Sequence, residues 1–248
     1  MPELTSCRMG NISQDLRFAS RALLRSPGFA ALTIVTLALG IGACTTIFSV
    51  LNGIVLRPLP YENPGRLAMV WTVDEKRGTR EHGASFAAFE DWRNQSQSFQ
   101  DMAVFMEPRL TGLNLTGADE PLRVQGAKVS PNLFGLLGVK PIVGRTFSSE
   151  EAERGERVVV IGYQLWQRVL GGSRDIADWT PQVGDQPARV IGVMPAQFQF
   201  PNKDTQLWEP HTSFPQWPQK RTTRYSNLWC VVGRLKTGIP IQQAQMEM

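Results

Sequence analysis

SPGFAALTIVTLALGIGACTTIFSVLNGIVL, residues Ser26 to Leu56, runs from Arg25 to Arg57 without one charged side chain. A bilayer core is crossed by about 20 predominantly apolar helical residues, and this stretch exceeds that length. Leu32, Ile34, Val35, Leu37, Leu39, Ile41, Ile47, Phe48 and Val50 each favour insertion, with no charge to oppose them. The stretch therefore reads as a transmembrane helix, and all that follows it is placed relative to a membrane. A buried core helix seldom runs so long without a charge. A cleaved lipoprotein signal is the sharper rival, because Ile41-Gly42-Ala43-Cys44 resembles a processing box. Against it, the apolar run continues through Ile47, Phe48, Val50 and Leu51, whereas a signal's apolar region of about 7–15 residues ends at its cleavage site. Gly40, Gly42 and Ala43 also suit close packing of a second transmembrane helix.

Upstream, Asn11 to Arg25 sets Leu16, Ala19, Leu23 and Leu24 near one face and Arg17, Arg21 and Arg25 elsewhere, the pattern of an amphipathic helix lying on a membrane surface. Ser26-Pro27-Gly28 breaks it. Three arginines precede the span and only Arg57 closely follows, so the positive-inside rule puts the N-terminus in the cytoplasm and the remaining chain outside it.

The chain has 248 residues, 42% of them hydrophobic, so the membrane character is concentrated in one segment and the remainder has the composition of a water-soluble domain. A formal charge of +4 arises from scattered Lys and Arg, with no basic run interleaved with aromatics, and gives no nucleic-acid signature. Cys7, Cys44 and Cys230 are too few and too far apart for a disulfide framework or a zinc site, and no disulfide is expected. His82 and His211 lack partners at ligand spacing and read as exposed loop residues.

After the stiff exit Arg57-Pro58-Leu59-Pro60-Tyr61 and the turn Asn63-Pro64-Gly65, a globular region begins. Leu67 to Val73 reads as a strand and Asp74 to Gly83 as a charged loop. Ser85 can cap a helix bearing Phe86, Phe89 and Trp92; Glu90 and Asp91, adjacent on it, diverge and read as a solvated face rather than an acid–base pair. Strands are expected at Met102 to Met106, Arg109 to Thr116 and Pro121 to Val129. Ser130 and Pro131 should open a short helix, Asn132 to Leu137, closed by Gly138. Ser148 or Ser149 caps an acidic first turn, and Val158 to Ile161 passes into a helix at Tyr163 to Leu170. That passage lacks the glycine spacing and the Lys-Ser/Thr pair of a nucleotide loop. Val183 to Val193 reads as a hairpin turning at Gly184-Asp185, Phe198 to Trp217 as an aromatic-rich loop, Asn227 to Leu235 as a strand, and Ile239 to Met248 as a helix with Ala244 on its apolar face. Ser85, Ser130 and Ser226 have no His pattern near them in the sequence, so a hydrolase lacks a convincing nucleophile and base by spacing, although groups distant in sequence can meet in space.

Several stretches jointly resemble the permeases of the macrolide-exporter type (MacB/FtsX-like), in particular the bacterial acidobacterial duplicated permeases: DLRFASRALLRSPGF (15–29), ALGIGACTTIFSVLNGIVLRPLPY (38–61), VSPNLFGLLGVKPIVGRTF (129–147), VVVIGYQLW (158–166), VIGVMPAQFQFP (190–201) and VGRLKTGIPIQQAQMEM (232–248). The resemblance implies an α+β fold: one N-terminal transmembrane helix, then a periplasmic porter-like α+β subdomain with an inserted small α/β subdomain. Its expected parts are a cytoplasmic amphipathic helix (1–25), a transmembrane helix (26–56), a porter-like subdomain in two pieces (62–128 and 224–248) and the insertion (129–223). One segment departs from the pattern. Asp178-Trp179-Thr180-Pro181 replaces a glycine and an alternating strand, so the first arm of that hairpin is weakened or an edge.

The function implied is that of a non-catalytic permease component of an ABC-type transporter or mechanotransmission system in the bacterial inner (cytoplasmic) membrane. Its partners would be the membrane, a separate cytoplasmic ATP-binding-cassette ATPase reached through later helices, and a periplasmic adaptor or lipophilic cargo. No nucleic acid, cofactor, metal or catalytic residue is implied, and the stretch to Met248 is expected to be inactive by itself. The competing class is a membrane-anchored or lipidated periplasmic binding or scaffold protein.

Overall fold

The structure, a computed structural model, describes residues 21, 25–51, 60–74, 79–106, 112–117, 120–176, 179–215 and 217–248. The expected amphipathic helix at 11–25 and the exit 57–59 lie essentially outside the described residues. The chain forms two compact units, Met1–Pro58 and Leu59–Met248.

In the first unit, helix α1 (Pro27–Leu51) is apolar throughout. Its segment Pro27–Ser49 has a mean hydropathy of 2.0 and none of it is buried against the protein, unlike a core helix. Phe29, Leu32, Leu39 and Phe48 all point outward. The polar atoms are satisfied within the helix: the Thr33, Thr36, Thr45 and Thr46 hydroxyls donate to carbonyls one turn earlier at 2.9, 2.8, 2.7 and 2.8 Å. An uncharged, predominantly apolar helix whose threonine hydroxyls are bonded to its own backbone fits a hydrocarbon solvent. It passes through Cys44 without a break.

The second unit is α+β. Its elements are β1 (Leu67–Val70), β2 (Thr72–Asp74), β3 (Thr79–His82), α2 (Phe86–Gln95), β4 (Phe99–Phe105), β5 (Gly112–Thr116), β6 (Leu122–Val129), α3 (Leu133–Leu137), β7 (Val143–Gly144), α4 (Ser149–Glu153), β8 (Val158–Gly162) and α5 (Tyr163–Leu170). There follow β9 (Gln182–Val183), β10 (Gln186–Pro187), β11 (Arg189–Met194), β12 (Thr205–Pro210), α6 (Trp217–Thr222), β13 (Cys230–Leu235) and α7 (Ile241–Glu247). One mixed sheet has the order β1-β13-β4-β6-β12-β8-β11-β7, with β5, β9 and β10 attached beside β6. β6 joins its two ends: it meets β4 antiparallel at Phe105↔Val129 and runs parallel to β12 from Gln125 to Val129.

Three buried clusters hold the sheet. One, around Val70, Phe86, Phe89, Val104, Trp229, Val231 and Ala244, seats α2 and α7. A second, on the opposite faces of β4 and β13, gathers Phe105, Phe134, Phe147, Val232 and the wholly buried Trp208. The third packs Leu165 and Trp166 of α5 on Val159, Ile161, Val193 and Leu207. Strands covered on both faces read as continuous apolar runs, as VVVI and CVV do.

Local signals place several boundaries. The Ser85 hydroxyl accepts from the Ala88 N–H at 3.1 Å, and Ser148 with Glu151 closes a full capping box on α4. Gly138, at φ 71°, ends α3.

Four expectations are corrected. Ser130 does not cap α3: its hydroxyl accepts from the Val104 N–H at 3.0 Å, tying the turn to β4. Within the stretch expected to be a loop, Thr79–His82 forms β3, paired antiparallel with β2 in a two-stranded sheet of its own, and residues 75–78 lie outside the described residues. Its Thr-Arg-Glu-His arm carries no apolar alternation to announce it. Phe198 to Trp217 is not a loop throughout, since β12 lies between β6 and β8. Finally, His211 is not an exposed loop residue; it packs among aromatic rings. The arm after Pro181 forms only a two-residue strand, Gln182–Val183, and it is not an edge, since it pairs with β10 on one side and β5 on the other.

Candidate functional site

A cleft of about 440 Å³ opens where α2, the turn 130–132, α4 and the segment 211–221 converge. That volume falls within the range of small-molecule pockets. Phe86 and Phe89 sit three residues apart on α2, so both face the core while Glu90 and Arg93 reach the rim.

The floor is aromatic. The His211 imidazole stacks on Phe86 with centroids 5.0 Å apart and planes 11° apart, and meets Trp217 edge-on at 4.6 Å. Trp217 in turn stands edge-on to Phe86 at 4.5 Å. A ring N–H of His211 donates to the Val129 carbonyl, and Nδ1 has no hydrogen-bond partner. Burial pushes the imidazole pKa down to about 4, so His211 is neutral at ordinary pH.

The walls are tied by polar contacts. Arg221 pairs with Glu90 and Arg224 with Asp91, each at 2.8 Å, so the two adjacent carboxylates of α2 diverge to separate arginines and do not act together. Arg93 bonds Asp101 at 2.9 Å, whose other oxygen accepts from Asn132 at 2.7 Å. Below α4, Arg145 makes two 2.6 Å bonds to Glu151, holding that carboxyl down at about 2. Under the sheet, Lys128 and Glu209, facing each other across β6 and β12, form a buried ion pair at 2.9 Å, with Arg157 3.7 Å from the second carboxylate oxygen.

Ser130 and His211 line the same cleft; the Ser130 hydroxyl accepts from the Val104 N–H of β4, and no hydrogen bond joins it to His211 Nδ1. Ser85 is a helix cap. No group of three or more His, Cys, Asp or Glu stands close enough to hold a metal ion among the described residues. Sequence reasoning named no site residue and missed this cleft altogether. The one available signal was the density of Trp and Phe between Phe198 and Trp217.

Comparison with known proteins bears on the whole unit rather than on the cleft. The curated relative "Macrolide export ATP-binding/permease protein MacB 1" of Yersinia pestis bv. Antiqua (strain Antiqua) is 23% identical over 253 residues, covering 97% of this chain and 37% of the relative. The chain thus spans little more than a third of the length of the curated relatives it matches. The periplasmic region of MacB from Actinobacillus actinomycetemcomitans superposes with a TM-score of 0.54 at 15% identity, over 73% of this chain and 78% of that one. A domain described as from a permease protein of Porphyromonas gingivalis gives 0.58 at 15%, over 76% and 84%. At such identities these likenesses speak for the fold. The family described as "MacB-like periplasmic core domain" matches residues 30–248, almost the entire chain from α1 onward, and the chain belongs to that family.

Proposed function

We propose that the chain is the anchoring helix and periplasmic domain of a non-catalytic permease component of an ABC-type transporter or mechanotransmission system, driven by a separate cytoplasmic ATPase. The observation that carries the reading is the family match running unbroken from the apolar helix through the α+β unit. An outward-facing apolar helix that continues past Cys44 supports retention in the membrane over cleavage and lipidation there. The N-terminus is cytoplasmic, the domain periplasmic and the membrane the bacterial inner one; Arg17, Arg21 and Arg25 before the span support this orientation.

Within the domain, we propose a porter-like part, 62–128 with 224–248, and an inserted part, 129–223. The cluster beneath α2 and α7, whose buried members come from 70–106 and 229–244, supports the first; the cluster beneath α5 is drawn mainly from 159–207 but takes Leu115 and Val124 from β5 and β6, which join the two parts. A periplasmic adaptor or lipophilic cargo would meet this domain, while the residues act mechanically rather than chemically.

Orientation is tested at Tyr225, which is 97% exposed. A Tyr225→Cys variant in intact cells is expected to react with a membrane-impermeant maleimide, with Cys7 spared. Labelling of Cys7 without position 225 overturns it. Function is tested in nanodiscs: this chain alone should show no ATP turnover, and the permease of its relatives' length with a cognate ATPase should show vanadate-sensitive turnover. Turnover by the chain alone, or none by the longer assembly, refutes the reading.

A further inference from the structure

At the end of the sheet away from β1, β7 rides directly on β11. A Cβ at Gly144 would run into the Ile191 carbonyl and one at Gly192 into the Arg145 carbonyl, so the two backbones touch with no room for a side chain between them. That contact, with the Arg145 N–H donating to the Ile191 carbonyl at 2.9 Å, fixes the base from which the Arg145 side chain leaves. Beside it, the parallel pairing of β11 with β8 steps over Ile191, a one-residue bulge. A bulge re-aims side chains, and the consecutive residues Arg189, Val190 and Ile191 all border one groove instead of alternating between faces. Arg174, from the turn that follows α5, completes its rim, and Val143 and Ile176 its floor.

The groove holds about 450 Å³, within the range of small-molecule sites, and no carboxylate lines it. Its three arginines differ in how far they are committed. Arg145 spends two donors on Glu151, each at 2.6 Å, and one on the Thr146 carbonyl at 3.1 Å. Arg189 stands 3.7 Å from Glu156 and 4.0 Å from Glu151, too far for hydrogen bonds, so its guanidinium donors are unspent. Arg174 is exposed, and its side chain makes no hydrogen bond or ion pair among the described residues. Glu151, with 10% of its side chain exposed, lies behind the guanidiniums and outside the groove.

Donors converging from three separate elements match an acceptor whose oxygens point in several directions. A phosphate, with three such oxygens and a charge of about −1.5 to −2, meets that need, whereas a carboxylate offers two oxygens in one plane. Phosphate alone would leave the apolar floor wet, and a purely apolar ligand would leave the guanidiniums unused. We propose that this groove binds an acidic lipid through a phosphate carried on an alkyl or acyl chain, with Arg174 and Arg189 holding the phosphate and Val143, Ile176 and Ile191 receiving the chain. The proposal stands on the groove itself and is independent of the transport reading.

The test is a phosphorus NMR titration of residues 1–248 in phosphatidylcholine nanodiscs, with empty nanodiscs as the blank. Hexyl phosphate is expected to bind with a sub-millimolar dissociation constant, and inorganic phosphate at least about tenfold more weakly for want of the chain. Arg174→Gln, at an exposed side chain without a partner, is expected to leave the urea midpoint unchanged and to weaken hexyl phosphate about threefold or more. Arg174→Gln with Arg189→Gln should weaken it at least about tenfold, and the single substitution carries the test if the second arginine proves structural. Equal binding of inorganic phosphate overturns the proposal in favour of a free-anion site. Displacement of hexyl phosphate by an equal concentration of hexanol overturns it by reducing the groove to an apolar dent. Displacement by an equal concentration of tetraglutamate overturns it by giving the groove to an acidic protein segment. No binding up to about 5 mM, or binding that both substitutions leave unchanged, shows that no such site exists.

Discussion

The Lys128–Glu209 pair offers a sharp test of how the centre of the sheet is held. The two side chains are 9% and 3% exposed, 2.9 Å apart, on paired positions of neighbouring parallel strands. Removing one partner of such a pair costs about 3–5 kcal/mol, because the other charge is left buried, whereas replacing both with apolar residues is often neutral. In Lys128→Met, Glu209 keeps only Arg157, 3.7 Å away and 29% exposed, and Ser213 loses the Lys128 ammonium but keeps its bond to the Pro210 carbonyl. Partial relief by Arg157 puts the expected loss at the lower end, about 3 kcal/mol. At a urea dependence of about 2 kcal/mol per molar, the unfolding midpoint should fall by roughly 1.5 M. The double variant Lys128→Met/Glu209→Leu should return to within about 1 kcal/mol of wild type, since Arg157 can turn to water and to the Val183 carbonyl it already bonds. Tryptophan fluorescence in detergent reports the transition, with Trp208 and Trp229 both buried. A single substitution costing less than about 0.5 kcal/mol, or a double variant as unstable as the single, refutes the reasoning. In the second case the alkyl packing of Lys128, rather than a stranded carboxylate, would be what matters.

The remaining expectations concern acid and the cleft. The folded protein holds the His211 pKa near 4, below the ordinary value of 6.5, so its contribution to stability is present above pH 6.5 and is lost as pH falls from there through 4. Linkage puts the loss between pH 7 and pH 5 at roughly 2 kcal/mol, and His211→Phe should flatten that part of the stability–pH curve; an unchanged slope shows that the imidazole is not buried neutral. Glu151 titrates lower, because the Arg145 bonds hold it at about 2 against 4.5, so its stabilisation is present above pH 4.5 and lost towards 2. Arg145→Ala should shallow the acid limb only below pH 4.5, and a change confined to neutral pH argues against that pair. By contrast Arg221→Ala with Arg224→Ala, removing two half-exposed ion pairs at the cleft wall, should cost no more than about 1 kcal/mol, and a loss above about 2 kcal/mol at the unfolding midpoint shows the wall to be held by charge rather than by Phe86, His211 and Trp217.

Much of the fold was legible because its signals are local. A serine before an apolar period, as at Ser85 and Ser148, meets its partner N–H within three residues, so the sequence carries the whole interaction. Buried strands such as Val158–Gly162 and Cys230–Leu235 announce themselves by composition, and Gly138 marks a helix end by the left-handed backbone it permits. Helix α1 was the clearest of all, its lack of charge being a property of every residue in turn.

The candidate site was illegible for the opposite reason. β12 reads Thr-Gln-Leu-Trp-Glu-Pro, with a carboxylate and a proline where a central strand should be apolar. Glu209 is tolerated there because Lys128, 81 residues away in the chain, faces it across the sheet, and no pattern within β12 encodes that partner. His211 follows directly after the strand. Once β12 is taken for a loop, His211 becomes a loop histidine, whereas a strand ending at Pro210 delivers it against Phe86. One misread element thus hid both the buried ion pair and the aromatic floor of the cleft. Ser130 went astray in the same way: a serine before a proline and an apolar run satisfies the local rule for a cap, but β4 brings the Val104 N–H within 3.0 Å of its hydroxyl. The hydroxyl serves the strand amide, which would otherwise be buried without a partner, while the Leu133 N–H at the start of α3 is met by the Ser130 backbone carbonyl at 3.1 Å. In this protein, local rules fix each element as far as its own residues can satisfy it, and where two elements compete for one side chain the sheet decides.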